Sequence, residues 1–481
     1  MNGGMEILAK VDAANTQTEE ITNHCREAPV VIVGAGPVGL LLALLLARKN
    51  VHSIVIEKGD GVDTSPRGLL HYPPVLEVFK TAGIYDTVVE HGFCMAGNSW
   101  RKPLADDGNG NNLLGERIAK LQTCELRTNG TYPEGQFCVG FVQSKLVALL
   151  LEEVNRTKLA QVLFDTTLVD IDQDAAGVNV TIESAGKPEV LRTQYLAGCD
   201  GGKSTVRKLL GIQFSGFSWP ERLIATDVRR VVSSVDPNPA YFVVDPVHWG
   251  VVVPLEKITP GEPGLWRYAM AVADPSITDA AAEDDDYVEQ LLLKYIDGPR
   301  PSTHTTVRKR VYRIHQLLAS TMHRGRVVLA GDAAHLNNPI AGLGLCTGLL
   351  DVDILAQALH AILNEQYHDP QDLLAEYSAV RRYVFQTFVN PQSAANKLRL
   401  HENEPDRAAE EDWYFRALRR ADPTEMMKIH GPLFVNWKTD LQRLMKTQPT
   451  PGHEVLLTSI EETADTVSSG AAVRSVGILA Q

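Results

Sequence analysis

Apolar and polar positions alternate early in the chain in a way that fixes its first structural unit. Residues 29–33 form a short β-branched apolar run, 40–50 a helical stretch and 53–57 a second apolar run, which together predict a strand, a helix and a strand. Residues 141–156 carry the next helical pattern. Between them, 100–132 is rich in turn formers, with Gly108, Asn109, Gly110, Asn111 and Asn112, and is expected to be an insertion over a cleft. Alternating residues such as Val178, Val180 and Ile182 predict a meander over 162–197, ending in a strand at 196–200 that returns to the first sheet. Strands are then predicted at 241–244, 249–255, 265–272 and 307–315, with a helix at 287–296 behind them. A buried strand at 326–330 leads into a long helix at 345–364, and further helices are predicted at 371–388, 411–420 and 433–445.

This pattern implies an α/β fold: a Rossmann-like domain built from 29–215 and 318–400, an inserted antiparallel-sheet domain at 216–317, and C-terminal helices at 401–449. Residues 1–28 form a polar leader and 450–481 a Thr, Ser, Gly and Ala-rich tail, both expected to lack order. No internal repeat is evident.

Charge and cysteine usage narrow the class. A net charge of −13 opposes the attraction that nucleic acid or an anionic membrane would require, so neither is expected as a partner. The six cysteines show no CxxC pair or metal-ligand spacing, so they read as small buried groups in a reducing compartment and no metal site is expected. The leader lacks the apolar core of a signal peptide, and the apolar run at 38–47 is too short to span a bilayer. A cytoplasmic protein is expected, with a homodimer compatible with the sequence.

The chemistry begins at Gly34, Gly36 and Gly39, which spell GxGxxG between strand and helix, with Pro37 inside the motif and Glu57 closing the second strand 18 residues after Gly39. In a dinucleotide fingerprint the first glycine permits the turn and the second lets backbone approach a pyrophosphate. The third lets helix and strand pack, and the acid accepts ribose hydroxyls. The motif leaves FAD and NAD undistinguished. Residues 326–351, RVVLAGDAAHLNNPIAGLGLCTGLLD, favour FAD: Asp332 after a buried strand can hold ribityl hydroxyls. Gly342 and Gly344 let backbone and then Leu345 approach a flavin ring at a helix N-terminus, whose dipole would stabilise reduced flavin.

That segment resembles the GD motif of the single-component (group A) FAD aromatic hydroxylases, the family of para-hydroxybenzoate and phenol hydroxylases. Residues 196–207, LAGCDGGKSTVR, are similar to the family's DG motif, whose aspartate, here Asp200, supports both FAD and the approach of NAD(P)H. The resemblance covers roughly 29–400 and is greatest to fungal members. It also implies that Arg67 lines the flavin and the NAD(P)H path and that Gln143 contacts FAD. Ala341 departs from the pattern, standing where a glycine is common, and Cys346 and Thr347 lie near a common asparagine.

The resemblance implies an enzyme that takes electrons from NADPH or NADH and puts one atom of O2 into a small aromatic or enolic metabolite, through a flavin C4a-hydroperoxide. Secondary metabolism is the expected setting. The same scaffold also serves epoxidation, Baeyer-Villiger insertion and oxidative rearrangement, and a non-catalytic relative of the Rab GDP-dissociation inhibitors is the alternative of another class. Halogenation is set aside because residues 217–220, FSWP, do not match the halogenase WxWxIP segment. Tyr241, His248 and Tyr268 are the candidate acid or base groups, with His71 also weighed. Trp266, Tyr268 and Met270 on one strand face, with Trp249, Val251 and Val253 on another, are candidates to roof the flavin. The basic strand Arg308, Lys309, Arg310 and Arg313 is a candidate to draw in NADPH.

Overall fold

The computed structural model describes residues 27–125, 128, 133–236, 238–364, 369–435 and 437–439. The leader up to residue 26, the tail and most of the predicted helix at 433–445 lie outside them, as does Cys25.

Glu27–Val33 is the central strand of an eight-stranded sheet, parallel to Ser53–Ile56 on one side and to Lys187–Gly198 on the other. Ala160–Leu163 and Val327–Leu329 extend the parallel array at its two ends. Val30, Val31 and Ile32 are fully buried, as a strand covered on both faces by helices must be. The helix Pro37–Arg48 starts on a proline, whose missing N–H is no loss in the first turn. It packs against Gln143–Thr157 and Leu343–Leu363. Lys187–Gly198 is shared: its first half pairs antiparallel with Val178–Ser184, which pairs in turn with Thr166–Gln173.

The second sheet also has eight strands, in the order His335–Leu336, His304–Ala319, Phe214–Val231, Pro263–Val272, Gly250–Pro254, Tyr241–Val243, Gly97–Arg101 and Arg117–Gln122. Of its last two strands, Arg117–Gln122 lies within the stretch 100–132 expected to be a loop insertion in the first domain and Gly97–Arg101 leads into it. Gly97–Arg101 runs parallel to Tyr241–Val243 and antiparallel to Arg117–Gln122. The segment 97–122 therefore belongs with the second sheet, and the boundary of 29–215 for the first domain does not follow the sheets there. Only Trp100, Ile118, Ala119 and Leu121 are buried as its apolar anchors, too few to mark strands by alternation beside so many turn residues.

Helix Asp285–Leu292 covers one face of this sheet, and the other face looks toward the nucleotide-type sheet. Beyond Leu343–Leu363, helices Pro370–Val384 and Asn390–His401 are joined by a π-helical turn at Phe385–Val389, followed by Trp413–Arg420 and Pro423–Val435. Among the described residues Leu343–Leu363 alone has the length and apolarity to cross a membrane, and it is mostly buried in the core.

Candidate active site

One cavity of about 1300 Å3 runs between the two sheets. At one end lies the glycine turn. Gly34 has φ +106°, and a Cβ there would meet the Cys199 carbonyl oxygen at 2.6 Å; one on Gly39 would meet the Gly34 oxygen at 2.0 Å. A Cβ on Gly36 would meet nothing within 4 Å, so this glycine leaves space over the backbone, not room for a packed neighbour. Glu57 holds the turn through both carboxylate oxygens, which accept from Ala35 N–H at 2.9 Å and Gly59 N–H at 3.0 Å. Gly34, Gly36, Pro37 and Glu57 all line the cavity; Gly39 sits behind it.

Asp200 and Asp332 stand midway along the same cavity. One oxygen of Asp200 accepts from Thr205 N–H at 2.6 Å and Val206 N–H at 3.2 Å, while the other is buried without a protein partner. One oxygen serves the fold and the other is free for a ligand. Asp332 is exposed to the cavity space yet ringed by protein, and this desolvation pushes its carboxyl above the usual carboxylate range against the pull of His335 and Arg67. Gln143 accepts from Gly68 N–H at 3.2 Å, and Arg67 pairs with Asp63 at the cavity wall. Gly342, in left-handed backbone at φ +67°, caps the helix that brings Gly344 and Leu345 to the cavity. Ala341 shares that conformation at φ 79°, which an L side chain resists and a glycine would not. Cys346 and Thr347 instead turn into the core, bonded to the Leu70 and Leu343 carbonyls.

Beneath this loop is a network that sequence reasoning missed. Asp351, fully buried, accepts from Gly331 N–H at 2.9 Å, contacts His335 Nε2 at 2.7 Å and accepts from Arg381 Nε at 2.7 Å. Burial pushes its carboxyl up, but His335 and Arg381 outweigh this and hold it below the usual range. Arg381 also donates to the Trp437 and Thr347 carbonyls and to Thr439 Oγ1. Two carboxylates, Asp351 and Asp353, inside a mostly apolar helix were the available signal, since a buried charge needs a partner.

The far end of the cavity is an apolar chamber walled by Trp100, Phe242, Val251, Val253, Ile340 and Tyr414, with Gln392 and Asn396 as polar groups. Trp100 stacks on Phe242 and meets Tyr414 edge-on. The Tyr414 hydroxyl has no hydrogen-bond partner among the described residues; Arg399 lies 4.1 Å from its ring centre, and burial pushes its pKa up to about 12. Arg267 and Asp227 form an ion pair at 2.8 Å in the chamber wall, from which Arg267 also reaches the Arg67 carbonyl.

The candidate acid and base groups are not brought here. Tyr241 and Tyr268 point to the opposite face of the second sheet, Tyr268 against Arg230 and Tyr241 toward the Tyr295 carbonyl. Trp266 and Met270 share that face and pack on helix Asp285–Leu292, while Arg267 and Ala269 between them face the chamber. Of the second roofing set, Val251 and Val253 line the chamber and Trp249 is buried elsewhere. His248 lies in a turn where its N–H donates to Asp245, outside the chamber. His71 is buried against the Phe141 carbonyl, and burial lowers its pKa to about 4. Of the basic strand, Arg308, Arg310 and Arg313 line the cavity and Lys309 pairs with Asp285.

A glycine-rich nucleotide cleft on a parallel sheet, continued without interruption into an apolar chamber under a second sheet, defines a flavoprotein oxygenase. The chain belongs to the FAD-binding-domain family, whose model matches residues 27–391. It is 34% identical over 409 residues to para-nitrophenol 4-monooxygenase of Pseudomonas sp. strain WBC-3, spanning 84% of this chain and 96% of that protein. It is 30% identical over 389 residues to 6-hydroxy-3-succinoylpyridine 3-monooxygenase of Pseudomonas putida, spanning 80% and 91%. The crystal structure of p-nitrophenol 4-monooxygenase from Pseudomonas putida DLL-E4 matches with a TM-score of 0.73 and 33% identity, over 84% of this chain and 96% of that one. An aklavinone-11 hydroxylase bound to FAD and aklavinone, at 23% identity, TM-score 0.66 and coverage of 81% and 71%, shares the fold. The protein is thus an FAD-dependent monooxygenase that uses NAD(P)H and O2, and the non-catalytic alternative is not favoured.

Proposed function

We propose that this enzyme oxygenates a small para-substituted phenol at the ring carbon para to its hydroxyl. The observation that carries this reading is the single cavity that joins the glycine turn to a flat apolar chamber with the unpartnered hydroxyl of Tyr414 at its wall. The two relatives' names support the position: each specifies oxygenation para to a ring hydroxyl, at the nitro carbon of one substrate and the succinoyl carbon of the other.

In this reading Glu57 holds the adenosine ribose, and the open backbone at Gly36 and Pro37 receives the pyrophosphate. Asp332 and the free oxygen of Asp200 take the ribityl hydroxyls, with Arg67 and Gln143 alongside. Gly342, Gly344 and Leu345 present the helix N-terminus to the pyrimidine edge. The spare acceptor on Asp200 and the empty space over Gly36 fit such a ligand. When bound, FAD supplies hydride acceptance from NAD(P)H and activation of O2. Arg308 and Arg310 draw the anionic nicotinamide dinucleotide to the cavity.

Tyr414, kept protonated at neutral pH, donates to the phenol oxygen and favours its phenolate form, which enriches the para carbon in electrons. Trp100 and Phe242 flank the ring, and the apolar wall keeps water from the reacting edge. The enzyme works in the cytoplasm, and gel filtration tests the homodimer. The decisive assay is NADPH or NADH consumption by the purified yellow protein with p-nitrophenol and other para-substituted phenols, with product identification. Nicotinamide oxidation that no phenol accelerates, or products oxygenated only ortho to the hydroxyl, would overturn the proposal.

A further inference from the structure

Behind the chamber wall, on the opposite face of the second sheet, lies a separate cavity of about 60 Å3. Strand alternation creates it: Ser99, Arg101 and Tyr241 point into it, while their neighbours Trp100 and Phe242 point into the substrate chamber. It is lined by an unusual excess of hydrogen-bond donors. Arg101, 9% exposed, spends its two terminal nitrogens on the Gly115 carbonyl and Asp236, leaving Nε without a partner. Ser99 Oγ and Trp266 Nε1, on residues 3% and 6% exposed, are also unpartnered. The Tyr268 oxygen accepts from Arg230 at 2.9 Å, which leaves its own proton to give, and burial pushes its pKa up to about 12 so that the proton stays. The acceptors that line the cavity are the unpartnered Asn238 Oδ1 and the ion-paired carboxylates of Asp236 and Asp297.

Charge points the same way. Arg101 and Arg230 line the cavity with their partners Asp236 and Asp297, and Arg117 adds a third guanidinium on Asp236 from outside the lining. Burial, with the Arg117 charge beside it, pushes the Arg101 guanidinium below its ordinary value, a penalty that a negative ligand relieves. A water molecule brings as many donors as acceptors and no charge. A phosphate ester or dinucleotide exceeds the space.

We propose that this cavity is a binding site for one small monovalent anion, of halide, nitrate or formate size, held by Arg101, Ser99, Trp266 and Tyr268 behind the strands that carry Trp100 and Phe242. The proposal is independent of the substrate and of flavin chemistry.

Trp266 reports occupancy directly, because iodide quenches indole emission on contact and chloride does not. Holoenzyme is titrated with potassium iodide at ionic strength held constant with potassium gluconate, whose anion is too large to enter. The expected result is a saturable loss of emission above the linear quenching of exposed tryptophans. It should be displaced by chloride, absent in Trp266→Phe and shifted to roughly tenfold higher iodide in Arg101→Gln, the loss of one charge-assisted bond. Ser99→Ala, which leaves the ion pairs intact, should shift it in the same direction and decides the matter if Arg101→Gln does not fold. Purely linear quenching, insensitive to chloride and alike in all variants, would mean the cavity holds water only. Saturable quenching by neutral acrylamide as well would reduce the effect to access and would equally overturn the proposal.

Discussion

Changing Asp351 to asparagine tests whether the buried network under the loop at 331–335 organises the flavin site. The carboxylate divides its oxygens: Oδ1 accepts from Arg381, and Oδ2 accepts from Gly331 N–H and meets His335. An asparagine of the same shape has one acceptor and one donor end. Whichever way it lies, an NH2 faces either the Arg381 Nε–H or the Gly331 N–H, and Arg381, fully buried, loses its counter-charge. Breaking a buried pair by removing one partner costs about 3–5 kcal/mol, a large part of the roughly 5–15 kcal/mol that holds a typical protein together. Asp351→Asn should therefore still fold but melt roughly 3–5 °C lower.

The loss should also be local in character. Arg381 holds the Trp437 carbonyl, and Trp437 packs edge-on against Tyr72, whose hydroxyl donates to the Ala341 carbonyl at 2.7 Å. FAD affinity and Trp437 emission should change together. Adding Arg381→Met should recover part of the lost stability, since it removes the uncompensated buried charge. The folded-state pKa of Asp351 is lowered, so the network's contribution is present above the unfolded value of 3.8 and fades as pH falls through the folded one. Thermal melts with flavin fluorescence read all of this. A variant with wild-type melting temperature and wild-type FAD content would refute the reasoning.

Gly36→Ala should leave apoprotein stability nearly unchanged, because its added methyl meets nothing within 4 Å, yet weaken FAD roughly ten- to hundredfold by occupying the pyrophosphate's approach. Gly39→Ala should instead destabilise the fold by about 1–3 kcal/mol even without flavin, since its Cβ would lie 2.0 Å from the Gly34 oxygen; equal effects of the two changes on denaturation would contradict the assignment. The Asp332 carboxyl is raised above 3.8, and its ionised form accepts the ribityl hydroxyls, so FAD affinity should fall as pH drops through that raised value and this dependence should vanish in Asp332→Asn. Tyr414→Phe should raise KM for the phenol roughly tenfold with flavin content intact, and an unchanged KM would remove Tyr414 from substrate binding.

How much of this was legible depended on whether a residue's identity carries its own geometry. Gly34 and Gly39 could be given roles from sequence because the backbone φ or the close approach excludes any side chain, and each role is complete within one strand, turn and helix. Asp332 and Asp200 gain their meaning from the strands they follow, which were also readable. The chamber was not readable, because Trp100, Phe242, Ile340 and Tyr414 come from four separate segments with no local pattern to join them.

Strand alternation shows the limit most clearly. It placed Trp266, Tyr268 and Met270 together on one face, as they are, but period two says which residues share a face and nothing about which face meets the cofactor. Here the larger aromatic set lies against helix Asp285–Leu292, and the smaller, mixed set of Arg267 and Ala269 faces the chamber. A sheet with a core on one side and a ligand on the other needs its bulk on the core side, where packing must be complete without help. The cavity side has to leave space for a ring to enter, so the less conspicuous face is the better candidate for the substrate. Bulk does not decide on the neighbouring strands, where Trp100, Val251 and Val253 line the chamber while Ser99, Gly250 and Val252 do not, because there the chamber needs a flat apolar wall and not empty space.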